Sequence, residues 1–254
     1  EKNSMTTLEW ISLIVLFFLT SVVGVVTGSN SLVTVPVMFH FGIDPKTAVA
    51  TNMFGLTFMN IGASIPFLRR GMIDMKKAAP LVGLTLVSSA LGALLVGLIT
   101  NQGIKLMVSV AMIAVGIFTL VKRDAGVAAR AEISTGAAVL TYVLTFLLGV
   151  YGGLYSGGYV TVLTAVLVAF FGMTFTEAVA STKFINVFSS LIATVIFAWQ
   201  NLIDYRLGII LAVAMFAGAY VGAHTVTKLN DLWIKRIFLG TVFLLAIKTI
   251  YDFI

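Results

Sequence analysis

The chain lacks cysteine and has few histidines and few charged residues, and each shortage excludes a class of protein. Without cysteine it can form no disulfide, no thiolate metal site and no thiol nucleophile. Its two histidines, His40 and His224, lie far apart in the sequence, so we predict no metal site and no cofactor. Charged residues make up 10% of the 254 residues, whereas soluble domains carry about 25%. The composition therefore argues against a soluble globular protein.

Long hydrophobic runs are what the sequence does contain. Hydrophobic residues make up 59% of the chain, and the mean hydropathy is +1.08. Apolar runs recur, each close to the roughly 20 residues that a spanning helix needs. They cover 8–26, 46–66, 78–99, 104–121, 133–151, 176–199, 207–226 and 232–250. We therefore predict an all-α, polytopic membrane protein with 8 to 10 crossings.

The basic net charge does not point to nucleic acid. The net charge is +6 and the isoelectric point is about 9.6. The lysines and arginines gather at the ends of apolar runs, however, and form no continuous basic face with interleaved aromatic residues. Orientation in a lipid bilayer explains this distribution better. We predict the bilayer as the environment and no nucleic-acid partner.

The sequence repeats itself after 130 positions, without a gap. The residues that recur in the second copy include Gly42, Ala48, Val49, Ala50, Phe54, Ala63, Ile73, Asp74, Gly92 and Ala93, which match Gly172, Ala178, Val179, Ala180, Phe184, Ala193, Ile203, Asp204, Gly222 and Ala223. Two copies of one apolar helical unit are typical of membrane transporters. We predict two homologous repeats, 5–121 and 133–254, joined by a hydrophilic linker at 122–132. Each repeat would contain four long helices and one short, broken or re-entrant helix.

Glycine and polar residues interrupt each copy twice. In the first copy the breaks enclose a short run at 32–41, and in the second they enclose 159–171. Non-helical backbone at membrane depth survives only inside protein or beside a water-filled cavity. A half-helix that starts at such a break presents free N–H groups and the positive end of its dipole, which favour an anion. The candidate binding residues at the breaks are Ser29, Asn30, Ser31, Ser156, Gly157 and Gly158, and Thr34 and Tyr155 are further donors there. The alternative is that these glycines only allow close helix packing.

A second candidate site follows each short run, where small residues precede hydroxyls and amides. Its residues are Thr51 and Asn52 in the first copy and Ser181, Thr182, Lys183 and Asn186 in the second. Lys183 is the most informative, because a cation near the bilayer centre costs at least ~2.5 kcal/mol. An anionic substrate would compensate its charge. The alternatives are snorkelling to the interface and pairing with Glu177.

Other ionisable residues have simpler interpretations. His40 and His224 could carry a coupling proton near neutral pH, or they could be structural. Asp44 and Glu177 precede the Ala-Val-Ala helices and are expected to cap helix N-termini. Asp74 and Asp204 recur in loops, where a turn or cap role is expected.

Charge predicts the orientation of the first half only. Basic residues crowd the loop at 67–77, and two spanning helices separate it from the linker at 122–132. Both segments therefore lie on one side, which the positive-inside rule makes cytoplasmic. If the short runs do not cross the membrane, the repeats are parallel; if they do, the second is inverted. The lysine and arginine counts are equal in both schemes, so the question stays open.

The double motif resembles a known family. Gly42-Ile43-Asp44-Pro45-Lys46-Thr47-Ala48-Val49-Ala50-Thr51, with its counterpart from Gly172 to Ser181, resembles the sulfite exporter TauE/SafE family, and the resemblance extends over about 8–250. It implies a multi-pass transporter of the bacterial cytoplasmic (inner) membrane. It also implies sulfite, sulfoacetate or a related sulfonate as substrate.

These observations predict a secondary transporter that exports a small sulfur-containing oxyanion by alternating access between two repeats. No G-x-x-x-x-G-K-[ST] motif occurs, so a proton gradient or the membrane potential is the expected energy source. The alternatives are an anion channel and a carrier for a non-sulfur organic anion. A membrane enzyme is a weaker alternative, because no paired catalytic carboxylates or nucleophile-base motif appear.

Overall fold

The computed structural model describes residues 6–28, 30–110 and 133–229, together with Trp233 and Arg236. Regular structure in these residues is entirely helical, which confirms the all-α class. The helices are α1 (Thr7–Thr27), α2 (Ser31–His40), α3 (Pro45–Arg69), α4 (Met75–Val96), α5 (the described helical residues 101–110), α6 (Thr135–Leu154), α7 (Tyr159–Phe170), α8 (Phe175–Trp199) and α9 (Tyr205–Val226).

Six of these helices, α1, α3, α4, α6, α8 and α9, are long and apolar enough to cross a membrane. They confirm a polytopic membrane protein. The two short helices, α2 and α7, match the short runs expected from the sequence to within one residue at each end. The linker at 122–132 and the run at 232–250 fall mostly outside the described residues, so the total of 8 to 10 crossings stays a prediction.

Polar residues start the helices as the sequence predicts. The Thr174 hydroxyl accepts from the Glu177 N–H at 3.3 Å, and the Glu177 carboxylate accepts from the Thr174 N–H at 2.9 Å, which forms a capping box on α8. The Asp44 carboxylate accepts from the backbone N–H groups of Lys46 and Thr47 at the start of α3. Asp74 and Asp204 cap α4 and α9. The predicted cap roles of these acidic residues are confirmed.

Corresponding helices have the same length and spacing. The helices α3 and α8 both contain 25 residues, and α8 begins and ends 130 positions after α3. The same relation holds for α4 and α9, which both contain 22 residues. For description we call residues 6–110 the N-terminal half and residues 133–229 the C-terminal half.

Contacts at both ends of α3 show that α3 and α9 run in the same direction. Where α3 begins, the Asp204 backbone N–H before α9 donates to the Thr51 hydroxyl at 3.0 Å. Just after α3 ends, the Arg70 guanidinium donates to the carbonyl of Thr227, directly after α9, at 2.8 Å. We call the end of the bundle that contains Arg70 the basic end.

The helix α8 runs opposite to α3. At the end of the bundle where α3 begins, the Lys46 ammonium donates to the Gly97 carbonyl after α4, at 3.0 Å. The Gln200 side chain, which follows α8, lies against the same Gly97. The helix α8 therefore ends where α3 begins, so it starts at the basic end.

The first helix of each half packs on the other half. In the N-terminal half α1 packs against α9, where Gly218 and Gly222 leave room for the backbone carbonyls of Phe18 and Val22. In the C-terminal half α6 packs against α4 in the corresponding way, with Gly153 against the Ser89 backbone. Small residues at these contacts let the backbones approach closely. The halves are thus interlocked.

Candidate functional site

The breaks that precede α2 and α7 meet between the two halves. Gly28 ends α1 with φ +68°, and a Cβ there would lie 2.7 Å from Val160 Cγ1 and 2.8 Å from the Thr161 nitrogen. Only glycine combines this backbone conformation with so close a contact. The Thr161 hydroxyl donates to the Thr27 carbonyl at 2.6 Å. The N-terminal ends of the two short helices therefore lie next to each other inside the bundle.

A buried tyrosine joins the two breaks. The Tyr155 hydroxyl, from the break before α7, donates to the Ser31 carbonyl in α2 at 2.8 Å. The ring of Tyr155 occupies the space that a side chain at Gly157 would need, and the Tyr151 hydroxyl donates to the Gly157 carbonyl. Gly157 thus makes room for the ring. The sequence points to Tyr155 only through its position in a glycine-rich break.

Hydroxyls and one amide attach each short helix to the long helix that follows it. In the N-terminal half, the Asn52 amide donates to the Ser31 hydroxyl at 2.8 Å and accepts from the Thr34 hydroxyl at 2.7 Å. In the C-terminal half, the Thr164 and Thr182 hydroxyls lie 3.2 Å apart. These two contacts, Thr34 to Asn52 and Thr164 to Thr182, both span 18 positions. They hold α2 and α7 in equivalent places.

Lys183 is buried, with 2% of its surface exposed. Its ammonium donates to the Gly24 carbonyl of α1 at 2.7 Å, so the contact crosses between the halves. Gly24 in turn lies against Asn30 and Met59. The structure thus shows no snorkelling of Lys183. Glu177, the other partner considered for it, uses its carboxylate in the capping box of α8.

Several predicted site residues lie buried around Lys183 and the breaks. The Asn30 side-chain oxygen and the Ser181 hydroxyl are buried without a hydrogen-bond partner. Asn186, one turn beyond Lys183, and Ser156 are also buried. Gly158, with φ +79°, is the N-cap residue of α7. The structure therefore leaves one polar atom at the breaks, on Asn30, and one on α8, on Ser181, unsatisfied.

Other predicted residues lie elsewhere. The Thr51 hydroxyl accepts a hydrogen bond from the Asp204 N–H, directly before α9. His40, at the end of α2, and His224, on α9, are both exposed. Ser29 lies outside the described residues. Thr161 and Thr164 were absent from the predicted set, although Thr164 repeats Thr34 after 130 positions and this recurrence is a signal for it.

The charge at the site is positive. The N-terminal ends of α2 and α7 contribute the positive ends of their dipoles. Lys183 is the only charged side chain that is buried among the described residues. Groups of three or more His, Asp or Glu side chains that could hold a metal do not occur in the described part of the chain. The arrangement suits a small anion held by N–H groups, hydroxyls and one ammonium.

Comparison with known proteins agrees with this description. The family model described as sulfite exporter TauE/SafE matches residues 13–249. No solved structure matches the chain.

Relatives from three bacteria align along nearly their whole length. A probable membrane transporter protein, ORF9, of Sinorhizobium sp is 25% identical over 241 residues, which are 94% of this chain and 92% of the relative. The probable membrane transporter protein YfcA of Escherichia coli strain K12 is 24% identical over 253 residues, 98% of this chain and 94% of the relative. A probable membrane transporter protein of Haemophilus influenzae is 25% identical over 239 residues, with 92% of each chain covered.

Proposed function

Because this chain belongs to the sulfite exporter TauE/SafE family, we propose that it is a secondary transporter for a small sulfur-containing oxyanion. Sulfite, sulfoacetate and other organosulfonates are the proposed substrates, and export across the cytoplasmic membrane is the proposed direction. The relatives named as membrane transporters support transport as the general activity.

One observation carries the choice of an anion. Lys183 is a buried ammonium whose hydrogen-bond acceptor is a neutral carbonyl, that of Gly24. It lies where the breaks before two half-helices meet, and both helix N-termini favour negative charge. An oxyanion accepts several hydrogen bonds at once, so it would satisfy the ammonium and the free N–H groups together. Lys183, Asn30, Ser31 and Asn52 are the proposed contacts.

Alternating access is the proposed mechanism. The opposite directions of α3 and α8, together with their equal lengths, support two inverted repeats. Ser31, Asn52 and Lys183 are each no more than 2% exposed, which supports a proposed site that is closed to both sides. A closed site must open to one side at a time. This favours a carrier over a channel, which needs a continuous water-filled path.

The distribution of basic residues supports the orientation. Arg70 contacts Thr227, which places the exposed Lys228 at the same end as the loop at 67–77. The positive-inside rule makes this basic end cytoplasmic. In this orientation α2 leads from the interior to the outside, and α7 leads from the interior to the cytoplasm.

Lys183→Met tests the anion site directly. We expect the affinity of the purified protein for sulfite or sulfoacetate to fall about 10- to 100-fold, since hydrogen bonds to charged groups contribute about 1.5–3 kcal/mol. Binding is measured across sulfite, sulfoacetate, sulfate, thiosulfate and lactate. Lys228→Met removes the same charge from the exposed basic end and should leave affinity unchanged. Equal affinities in the parent and Lys183→Met would exclude Lys183 from the site, and tightest binding of lactate would favour a non-sulfur organic anion.

A further inference from the structure

The charge of Lys183 has no counter-charge in the described part of the chain. All the carboxylates there stand at helix starts, where they cap or begin a helix, and none of them is buried. These residues are Glu9, Asp44, Asp74, Glu177 and Asp204. The ammonium contacts the Gly24 carbonyl, which is neutral. Among the described residues, no carboxylate therefore compensates a protonated Lys183.

The described elements that pack against α8 bring no other charge to this position. Helices α1, α3 and α4 carry their charged side chains near their ends, and the ionisable residues of α6, α7 and the break between them are tyrosines. The groups concerned are Glu9, Lys46, Arg69, Lys76, Lys77, Tyr142, Tyr151, Tyr155 and Tyr159. His40 and His224, the histidines that could carry a proton, are exposed. Lys183 is therefore the described group best placed to carry a proton through the bundle.

A buried ammonium without a counter-charge is costly, and two events remove that cost. An anion can bind beside it, or the ammonium can release its proton. Because a neutral amine still has two N–H bonds, it can keep the hydrogen bond to Gly24 that joins the halves.

We propose, on the basis of the transport function above, that Lys183 moves one proton with each anion. On the loading side, the amine takes a proton from water and the anion binds the resulting ammonium. On the release side, the anion leaves and the ammonium returns its proton to water. For a monoanion the loaded and empty forms have the same charge, so transport is electroneutral. The anion gradient and the proton gradient together set the direction, so export against an inward proton gradient requires a larger outward anion gradient.

Proteoliposomes test this coupling. The purified protein is reconstituted with a pH-sensitive dye in the lumen, and uptake of sulfite and of methanesulfonate is measured with the membrane potential clamped by potassium and valinomycin. Methanesulfonate stays ionised over the working pH range. Liposomes without protein correct for uncatalysed movement. We expect about one proton per anion for the parent, and the same uptake rate at 0 and about −100 mV.

Lys183→Arg tests whether proton release by this side chain is needed, because it keeps the positive charge and prevents deprotonation. Arginine keeps its proton under all working conditions, so the variant should still take up the anion without acidifying the lumen. Its empty form stays charged, and its uptake should therefore change several-fold with membrane potential. Lys228→Arg is the matched control and should behave as the parent. A thermal melt of each variant verifies folding. The proton-to-anion ratio of the parent tests the coupling even if a variant does not fold.

Three results would contradict the proposals, and they are distinguishable. Anion uptake by the parent without acidification would overturn proton coupling and leave the transport function intact. The same proton-to-anion ratio in folded Lys183→Arg as in the parent would assign the proton to another group. If the parent took up neither anion, the proposed function itself would fail.

Discussion

At the scale of single residues, Tyr155 connects the two breaks directly, and its place in the glycine-rich break already made it a candidate donor. Its hydroxyl donates to the Ser31 carbonyl, and its ring is 1% exposed. The aromatic ring of Tyr151 meets it edge to face, with centroids 6.4 Å apart. A rigid ring held on both sides fixes the position of its hydroxyl. Tyr155 therefore sets where α2 begins relative to the C-terminal half.

Tyr155→Phe removes this one hydrogen bond. We expect the free energy of unfolding to fall by about 1 kcal/mol, because one buried hydrogen bond to the Ser31 carbonyl is lost. For a chain of this size, the melting temperature in detergent should drop by about 2–4 °C. Tyr205→Phe is the control, since Tyr205 is 51% exposed at the start of α9. Identical melting of the two variants would show that the bond contributes nothing.

Thr51 and Asn52 are neighbours in the sequence, and they show what the sequence can predict about single contacts. The motif after each short run identified both Thr51 and Asn52, but only Asn52 contacts α2. Successive residues on a helix point about 100° apart, so adjacent positions face different neighbours. Thr51 accordingly faces Asp204. Sequence alone does not reveal which helix packs on which face, and for the same reason the Gly24 carbonyl was not foreseen as the partner of Lys183.

At the scale of elements, the short helices depend on glycines with left-handed backbone. Gly28 and Gly42, at the two ends of the segment that contains α2, have φ +68° and +74°. Their surroundings differ, because Gly28 touches Val160 and Thr161 whereas nothing lies within 4 Å of a Cβ at Gly42. This pair separates the cost of the backbone conformation from the cost of the contact between the halves.

Gly28→Ala and Gly42→Ala should therefore destabilise the protein unequally. In both variants the left-handed alanine should lower the free energy of unfolding by about 1–2 kcal/mol. Gly28→Ala should lower it by a further ~1–3 kcal/mol, because its methyl group would overlap Val160 and Thr161 of the other half. Thermal unfolding in detergent measures the difference. If both variants melted at the same temperature, the close approach of the two breaks would be wrong.

The sequence predicted the elements better than it predicted their directions. The bounds of α3, α8, α4 and α9 follow from apolar runs and from acidic or hydroxyl caps, which are local signals. Direction depends on contacts between distant segments, such as Lys46 with Gly97 and Arg70 with Thr227. Parallel and inverted repeats place equal numbers of lysines and arginines on the cytoplasmic side. The charge distribution therefore did not predict the relative direction of the repeats.

At the scale of the whole molecule, several of the described basic residues lie at one end of the bundle. Arg69, Arg70, Lys76, Lys77 and Lys228 lie there, and Arg206 lies at the other end with the start of α9. The chain contains no cysteine, so a single introduced thiol is the only one that a maleimide can label.

Single-cysteine variants test the inverted arrangement. In intact cells, a membrane-impermeant maleimide should label Arg206→Cys, because this residue is exposed at the proposed outer end. Lys76→Cys and Lys228→Cys should be labelled only after permeabilisation. The cysteine-free parent measures the background labelling by the maleimide. Labelling of Lys228→Cys but not Lys76→Cys in intact cells would support parallel repeats and contradict the inverted ones.

The exchange of first helices between the halves has a consequence for biosynthesis. The face of α1 that receives Gly218 and Gly222 has no partner until α9 has been made, about two hundred residues later. Until then α1 must remain in the bilayer with this face covered by lipid or by the insertion machinery. The contact between α1 and α9 then forms late in assembly. A nascent chain whose synthesis stops before α9 would lack this contact.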